Sequence, residues 1–313
     1  MRPGHVNVPA SGAYADLNEL IALRFPAQQL QLSRQKRALN LLVGPNKTNF
    51  RGRGIDFEEV RAYQSGDDIR TIDWRVTART GNAHTRLFRE ERERPVLVVL
   101  DQRSSMFFGS TCCCKSVLAA HLASLLAWSA LNNGDRVGGL VFDDTGHQEI
   151  RPRRNRRTVL SMLSEFCRYN RQLPCLPRQA QHSFADMLDK LRRIARPGSS
   201  LFLVSDFRGA EGQRAREHLY ELAKHTELTA LKCTDPLETE LPRAGTYAVT
   251  DGTARSELDT ADRQLAAGYR DSRQRQHEAL SRNLQRLGIP LLAASTDAPP
   301  FALLQTYYGD PRR

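Results

Sequence analysis

The chain has 313 residues, with 46 Lys+Arg against 35 Asp+Glu and a formal net charge of +11. Hydrophobic residues make up 40% and charged residues 26%, which supplies a core and excludes a disordered polyelectrolyte. The most apolar stretch, Ser116 to Leu131, is interrupted by Ser116, His121, Ser124 and Ser129 and is too short to span a bilayer, and the N-terminus has no signal-peptide core.

In chain order, Leu17, Leu20, Ile21 and Phe25 fall at helical spacing between Tyr14 and Phe25, and Pro26 stops the run. Ser33 to Val43 repeats the pattern before Gly44-Pro45. A glycine-punctuated stretch follows, with turns at Ser65-Gly66-Asp67 and Thr80-Gly81-Asn82 and an alternating segment at Thr85 to Phe88, and it reads as a small, partly β subdomain. Within it, acids and arginines alternate from Gly66 to Arg75. They predict an ion-pair network clamping the subdomain, with Trp74 as apolar anchor.

From Pro95 the pattern changes. VLVVLD ends in Asp101, a helix-length segment covers Lys115 to Asn132, and RVGGLVFDD is another apolar run ending in acids. LFLVSD ends in Asp206, a helix is expected at Gly212 to His225, and apolar runs return at Glu227 to Cys233 and Ile289 to Ser295. Apolar runs alternating with helices predict an α/β fold with a doubly wound, mostly parallel sheet buried on both faces. The division expected is an N-terminal part, 1–94, of helices plus the small subdomain, and a sheet domain, 95–313.

Ligands of such sheets lie beyond the C-terminal strand ends. Asp101 and Asp206 stand there, Ser104 and Ser105 follow Asp101, and Ser183 opens a helix. Carboxylates with nearby hydroxyls are the oxygen donors that magnesium takes, although Asp101 and Asp206 equally suit helix capping. The six cysteines form neither a disulfide framework nor a zinc site, and Cys112 to Cys114 read as the buried start of the helix after them. Arg151 to Arg157, five arginines in seven residues, reads as a solvated turn into a helix at Thr158 to Tyr169. No Gly-x-Ser-x-Gly elbow surrounds Ser104 and Ser105.

GIDFEEVRAYQSGDDIRTIDWRVTAR, DQRSSMFFG, VSDF and DPLETELP together resemble the von Willebrand factor A-like proteins associated with MoxR ATPases, over about Asn49 to Pro242. The resemblance implies a von Willebrand A-like fold with a metal-ion-dependent adhesion site, and cooperation with a MoxR-type AAA+ ATPase as a non-enzymatic, chaperone-like adaptor. It also implies the short cytoplasmic type, without the paired membrane helices that many members carry. The family's Asp-x-Ser-x-Ser maps onto Asp101, Arg103 and Ser105, with Ser183 in place of the usual threonine and Asp206 as the last ligand. The candidate magnesium ligands are therefore Asp101, Ser105, Ser183 and Asp206. A guanidinium cannot ligate a cation, so binding is expected to be weak or absent. Arg103, with Ser104 and Ser105, is then expected to take a partner carboxylate directly. A second class stays open, a nucleic-acid-binding protein using its positive charge on phosphates. The client protein is not legible.

Overall fold

The computed structural model describes residues 7–32, 56–64, 72–89, 95–175, 180–250 and 255–309. The chain divides into two compact units, one made of Met1–Lys47 and Pro95–Arg313 and the other of Thr48–Arg94. In chain order the elements begin with α1 (Leu17–Ala22), β1 (Asp56–Ala62), α2 (Trp74–Thr80) and β2 (His84–Arg89). There follow β3 (Pro95–Asp101), α3 (Lys115–Asn132), β4 (Arg136–Phe142), β5 (His147–Arg153), α4 (Arg156–Gln172) and α5 (Phe184–Ile194). Next come β6 (Ser200–Ser205), α6 (Gln213–His225), β7 (Glu227–Thr234), the hairpin β8 (Thr246–Thr250) and β9 (Arg255–Asp259), α7 (Arg263–Arg286), β10 (Leu291–Ser295) and α8 (Pro300–Tyr308).

The larger unit is built on a six-stranded sheet of order β10-β7-β6-β3-β4-β5. All neighbours are parallel except the edge strand β5, which runs antiparallel to β4. Alternation along β3 explains its unbroken hydrophobicity: Val96, Val98 and Leu100 join one core with α1, α3, α4 and α8, and Leu97 and Val99 join the other with α5, α6 and the end of α7. The fold is thus the expected doubly wound, von Willebrand A-like α/β arrangement. Helix α3 is buried from Lys115 to Ala130, which accounts for its apolar character on every side.

The 1–94 and 95–313 division is corrected, because the first described residues pack on the sheet unit. Leu20, Ala27 and Leu30 enter the core on the α3 side. Trp128 donates from Nε1 to the Leu20 carbonyl at 3.0 Å, Ser129 Oγ to the Leu30 carbonyl at 3.0 Å, and the Ala15 amide to Asn170 Oδ1 at 2.7 Å. Helix α1 is also shorter than its apolar spacing predicts. Asp16 caps its start, and the chain turns into a 3-10 segment at Pro26–Gln29, where proline lacks the amide needed to continue.

In the smaller unit, β1 pairs antiparallel with β2, and α2 is capped by Asp73 and closed by Gly81 at φ 76°. Trp74 is 67% exposed. Standing at the first helical position beside the Asp73 cap, it is not the buried anchor expected, and the acid–arginine stretch before it falls largely in residues 65–71, outside the described residues. The helix expected at Ser33 to Val43 and the turn at Ser65 also lie outside them. The three adjacent cysteines precede α3 instead of beginning it, because Cys113 bridges Gly12 in extended conformation and Cys114 is the N-cap. Burial, with its two cysteine neighbours, pushes the Cys113 thiol up to about 12, far from the reactive thiolate range. The arginine run is only partly a turn: Arg151 and Arg153 lie on the edge strand β5, and Asn155 caps α4.

A Cβ on Gly139 would lie 1.9 Å from the Val98 carbonyl oxygen, across the β3–β4 pairing. Gly139→Ala is therefore expected to cost about 3 kcal/mol in urea unfolding. His121, buried on α3, is pushed down to about 4 by burial. A histidine whose folded pKa is depressed loses stability as pH falls from its ordinary value near 6.5 through the folded one. Between those limits the wild type should lose about 3 kcal/mol more than His121→Leu.

Candidate functional site

Register places the site. Leu100 on β3 pairs with Val204 on β6, so Asp101 and the Ser205-Asp206 step emerge side by side at the C-terminal end of the sheet. Asp101 is fully buried, and a carboxylate there must be neutralised or hydrogen-bonded. Arg103 does this. Its Nε lies 3.0 and 3.1 Å from the two Asp101 oxygens, its Nη2 donates to Oδ2 at 2.7 Å, and its backbone amide donates to Oδ1 at 2.9 Å. Ser205 Oγ adds a 2.6 Å bond to Asp101 Oδ2. The same guanidinium donates from Nη1 to the Arg208 carbonyl at 3.0 Å and stands 3.5 Å from Asp206. The rings of Phe184 and Phe142 lie 4.9 and 5.8 Å from it.

Asp206 is held by a second cation. Lys115, 0% exposed at the first position of α3, places Nζ 3.2 Å from Asp206 Oδ2 and 2.7 Å from Glu238 Oε1. Arg208 donates to the same Glu238 oxygen at 3.1 Å. Burial works to raise the Asp206 carboxyl, but the Lys115 ammonium and then the Arg103 guanidinium outweigh it and hold it below the usual carboxylate range. Burial likewise opposes the charge on Arg103, and Asp101 overcomes it, so that arginine stays protonated.

Around this pair the backbone is held tightly. Phe207 adopts φ 60°, a left-handed conformation that costs an L-residue about 1–2 kcal/mol. Its amide bonds Ser205 Oγ at 2.9 Å, and its ring meets Phe184 edge-on at 6.0 Å. Asp144 accepts from the Ser104 amide at 2.7 Å. Asp235 takes the Ser110 amide at 2.8 Å and Thr296 Oγ1 at 2.6 Å, tying the loop after β3 to the ends of β7 and β10.

Of the residues singled out from sequence, Asp101, Arg103, Ser105 and Asp206 come together. Ser183 is exposed, and its hydroxyl donates to Asp186 at 2.7 Å within a capping box, so it serves the start of α5. Ser104 is exposed at the rim. Lys115, Ser205, Arg208 and Glu238 were missed. Lys115 was legible in principle: a lone cation opening an otherwise apolar, buried helix needs an acidic partner. Glu238 lies within the DPLETELP motif.

Magnesium takes oxygen ligands. Ser105 offers one, a buried hydroxyl beside Asp206 that makes no hydrogen bond of normal geometry. The rest of the donor set does not fit, because Arg103 and Lys115 already occupy the two carboxylates. Together these cations carry the charge of one divalent ion.

The sheet order and its helical layers define the class as von Willebrand A-like in fold. The chain belongs to the family described as "Protein of unknown function DUF58", matched over residues 59–279. It is similar to the uncharacterized protein Rv1480 of Mycobacterium tuberculosis, 29% identical over 292 residues that cover 91% of this chain and 88% of that protein. Among solved structures it is similar to an aerotolerance-related membrane protein from Bacteroides fragilis, at 15% identity and TM-score 0.41, covering 68% of this chain and 98% of that one. A von Willebrand factor type A structure from Catenulispora acidiphila is similar at 13% identity and TM-score 0.33, covering 48% of this chain and 35% of that one. No helix among the described residues is long and apolar enough to cross a membrane.

Removing Lys115 leaves Asp206 and Glu238 facing each other with the half-exposed Arg208 in place of a buried shared cation. Lys115→Met should cost about 3–5 kcal/mol in urea unfolding, and adding Asp206→Asn should restore part of that loss.

Proposed function

We propose that this chain is a non-enzymatic adaptor that works in the cytoplasm with a MoxR-type AAA+ ATPase and needs no metal at its adhesion-site position. The observation that carries the reading is the saturation of the two strand-end carboxylates. Asp101 is spent on Arg103 and Ser205, and Asp206 on Lys115. Groups so held are poor candidates for a general base or a metal ligand, and good supports for a fixed binding surface.

The way a partner is gripped differs from the sequence expectation. Arg103 is 8% exposed and already bonded to Asp101, so it is not presented to a partner's carboxylate. Its role is internal, and the exposed rim belongs to Ser104 and to Arg208, whose side chain is 54% exposed.

Affinity capture from nuclease-treated native lysate, run with magnesium and with chelator, tests the reading. Recovery of an AAA+ ATPase, identified by mass spectrometry, is expected equally in both. Loss in chelator would contradict metal independence. Absence of the ATPase, with salt-sensitive nucleic acid recovered from untreated lysate, would move the function to the nucleic-acid class.

A further inference from the structure

Helix α7 presents Ala266, Tyr269, Arg273, His277, Leu280 and Leu284 as a half-buried or buried stripe at spacings of three and four, continued by Leu287 at its C-cap. The second half of that stripe is a normal apolar seam, with Leu280, Leu284 and Leu287 packing in the core on the α5–α6 side. The first half is polar. It faces Lys232 of β7, whose Nζ stands 3.4 Å from His277 Nδ1.

Lys232 and His277 thus meet, and half-buried Arg273, one turn earlier on the same stripe, acts on Lys232 through space. Among the described residues no carboxylate lies within ion-pair distance of Lys232 or Arg273. Glu238 and then Asp206 act on Lys232 through space, and Glu278 acts on His277, but the bonds of Glu238 go to Lys115 and Arg208 and Asp206 is paired with Lys115 and Arg103. Arg273 has a side-chain amide, Gln276 Oε1 at 3.2 Å, and the Tyr269 ring at 5.1 Å. Inward cations whose acids are engaged elsewhere and act only through space cost folding energy, and such a cost is characteristic of binding sites.

We propose that the Lys232, Arg273 and His277 cluster between β7 and α7 docks an acidic side chain of the partner protein, an inference that rests on the adaptor reading. A polypeptide suits the site better than a small free anion because the charge continues along the helix. Helix α7 carries six arginines against Asp271 and Glu278, so an acidic surface gains contacts beyond the single carboxylate. This places recognition beside the adhesion-site position instead of within it.

Fluorescence anisotropy with a labelled hexaglutamate peptide at low salt tests the site, with hexaglutamine and a DNA duplex as comparisons. Lys232→Met and Arg273→Leu should each weaken hexaglutamate binding at least tenfold, and Arg273→Lys should retain most of it. Arg273→Leu should also hold or raise the thermal midpoint, because it removes an inward cation. Unchanged peptide affinity, an equal loss of duplex binding, or a fall in the midpoint of both variants alongside the lost binding would overturn the proposal. ATPase capture with peptide affinity unmoved rejects this site alone, whereas peptide binding here without ATPase capture rejects the adaptor reading alone.

Discussion

Two carboxylates, Asp101 and Asp206, leave neighbouring strands at a point water scarcely reaches, and the top of the sheet is organised around neutralising them. Removing an ionised carboxylate from water costs several kcal/mol even after relaxation, and only close, well-oriented cations offset it. Arg103 satisfies this with a two-oxygen grip on Asp101, for which a planar guanidinium is suited. Lys115 answers for Asp206 as a compact point charge, wedged between that residue and Glu238.

The consequences spread through the chain. Lys115 opens α3, so its ion pairs fix where the central helix begins. Helix α3 in turn receives the N-terminal segment through Trp128 and Ser129. Glu238 is drawn in from the turn after β7, where Asp235 links the Ser110 loop to Thr296. Tyr269 bonds the Leu237 carbonyl at 2.9 Å and brings α7 to the same turn. One electrostatic requirement thus positions the rim and sets His277 opposite Lys232.

The sheet was legible in the sequence because burial on both faces leaves unbroken apolar runs such as VLVVLD and LFLVSD, ending in the acids that mark the site. The arginine at position 103 was legible as a departure from a ligand pattern, and its pairing with Asp101 needs only neighbouring residues. Other features were hidden for physical reasons. The docking of Ala15 on Asn170 joins residues 155 apart in the chain and leaves no local pattern. The β8–β9 hairpin is largely exposed on both faces, so no hydrophobic alternation announces it. Ser183 was misread because a serine before a helix serves a cap and a ligand role equally well in sequence, and only the Asp186 bond decides between them. The polar half of the α7 stripe was passed over because arginine and histidine at core-facing positions do not register as hydrophobic periodicity.

The central claim is that side-chain cations stand where a divalent ion would otherwise be needed. Titration calorimetry of the full chain with magnesium addresses it most directly, with Asp101→Asn alongside. The structure predicts no binding heat beyond dilution at this position. Tight magnesium binding that disappears in Asp101→Asn would contradict it.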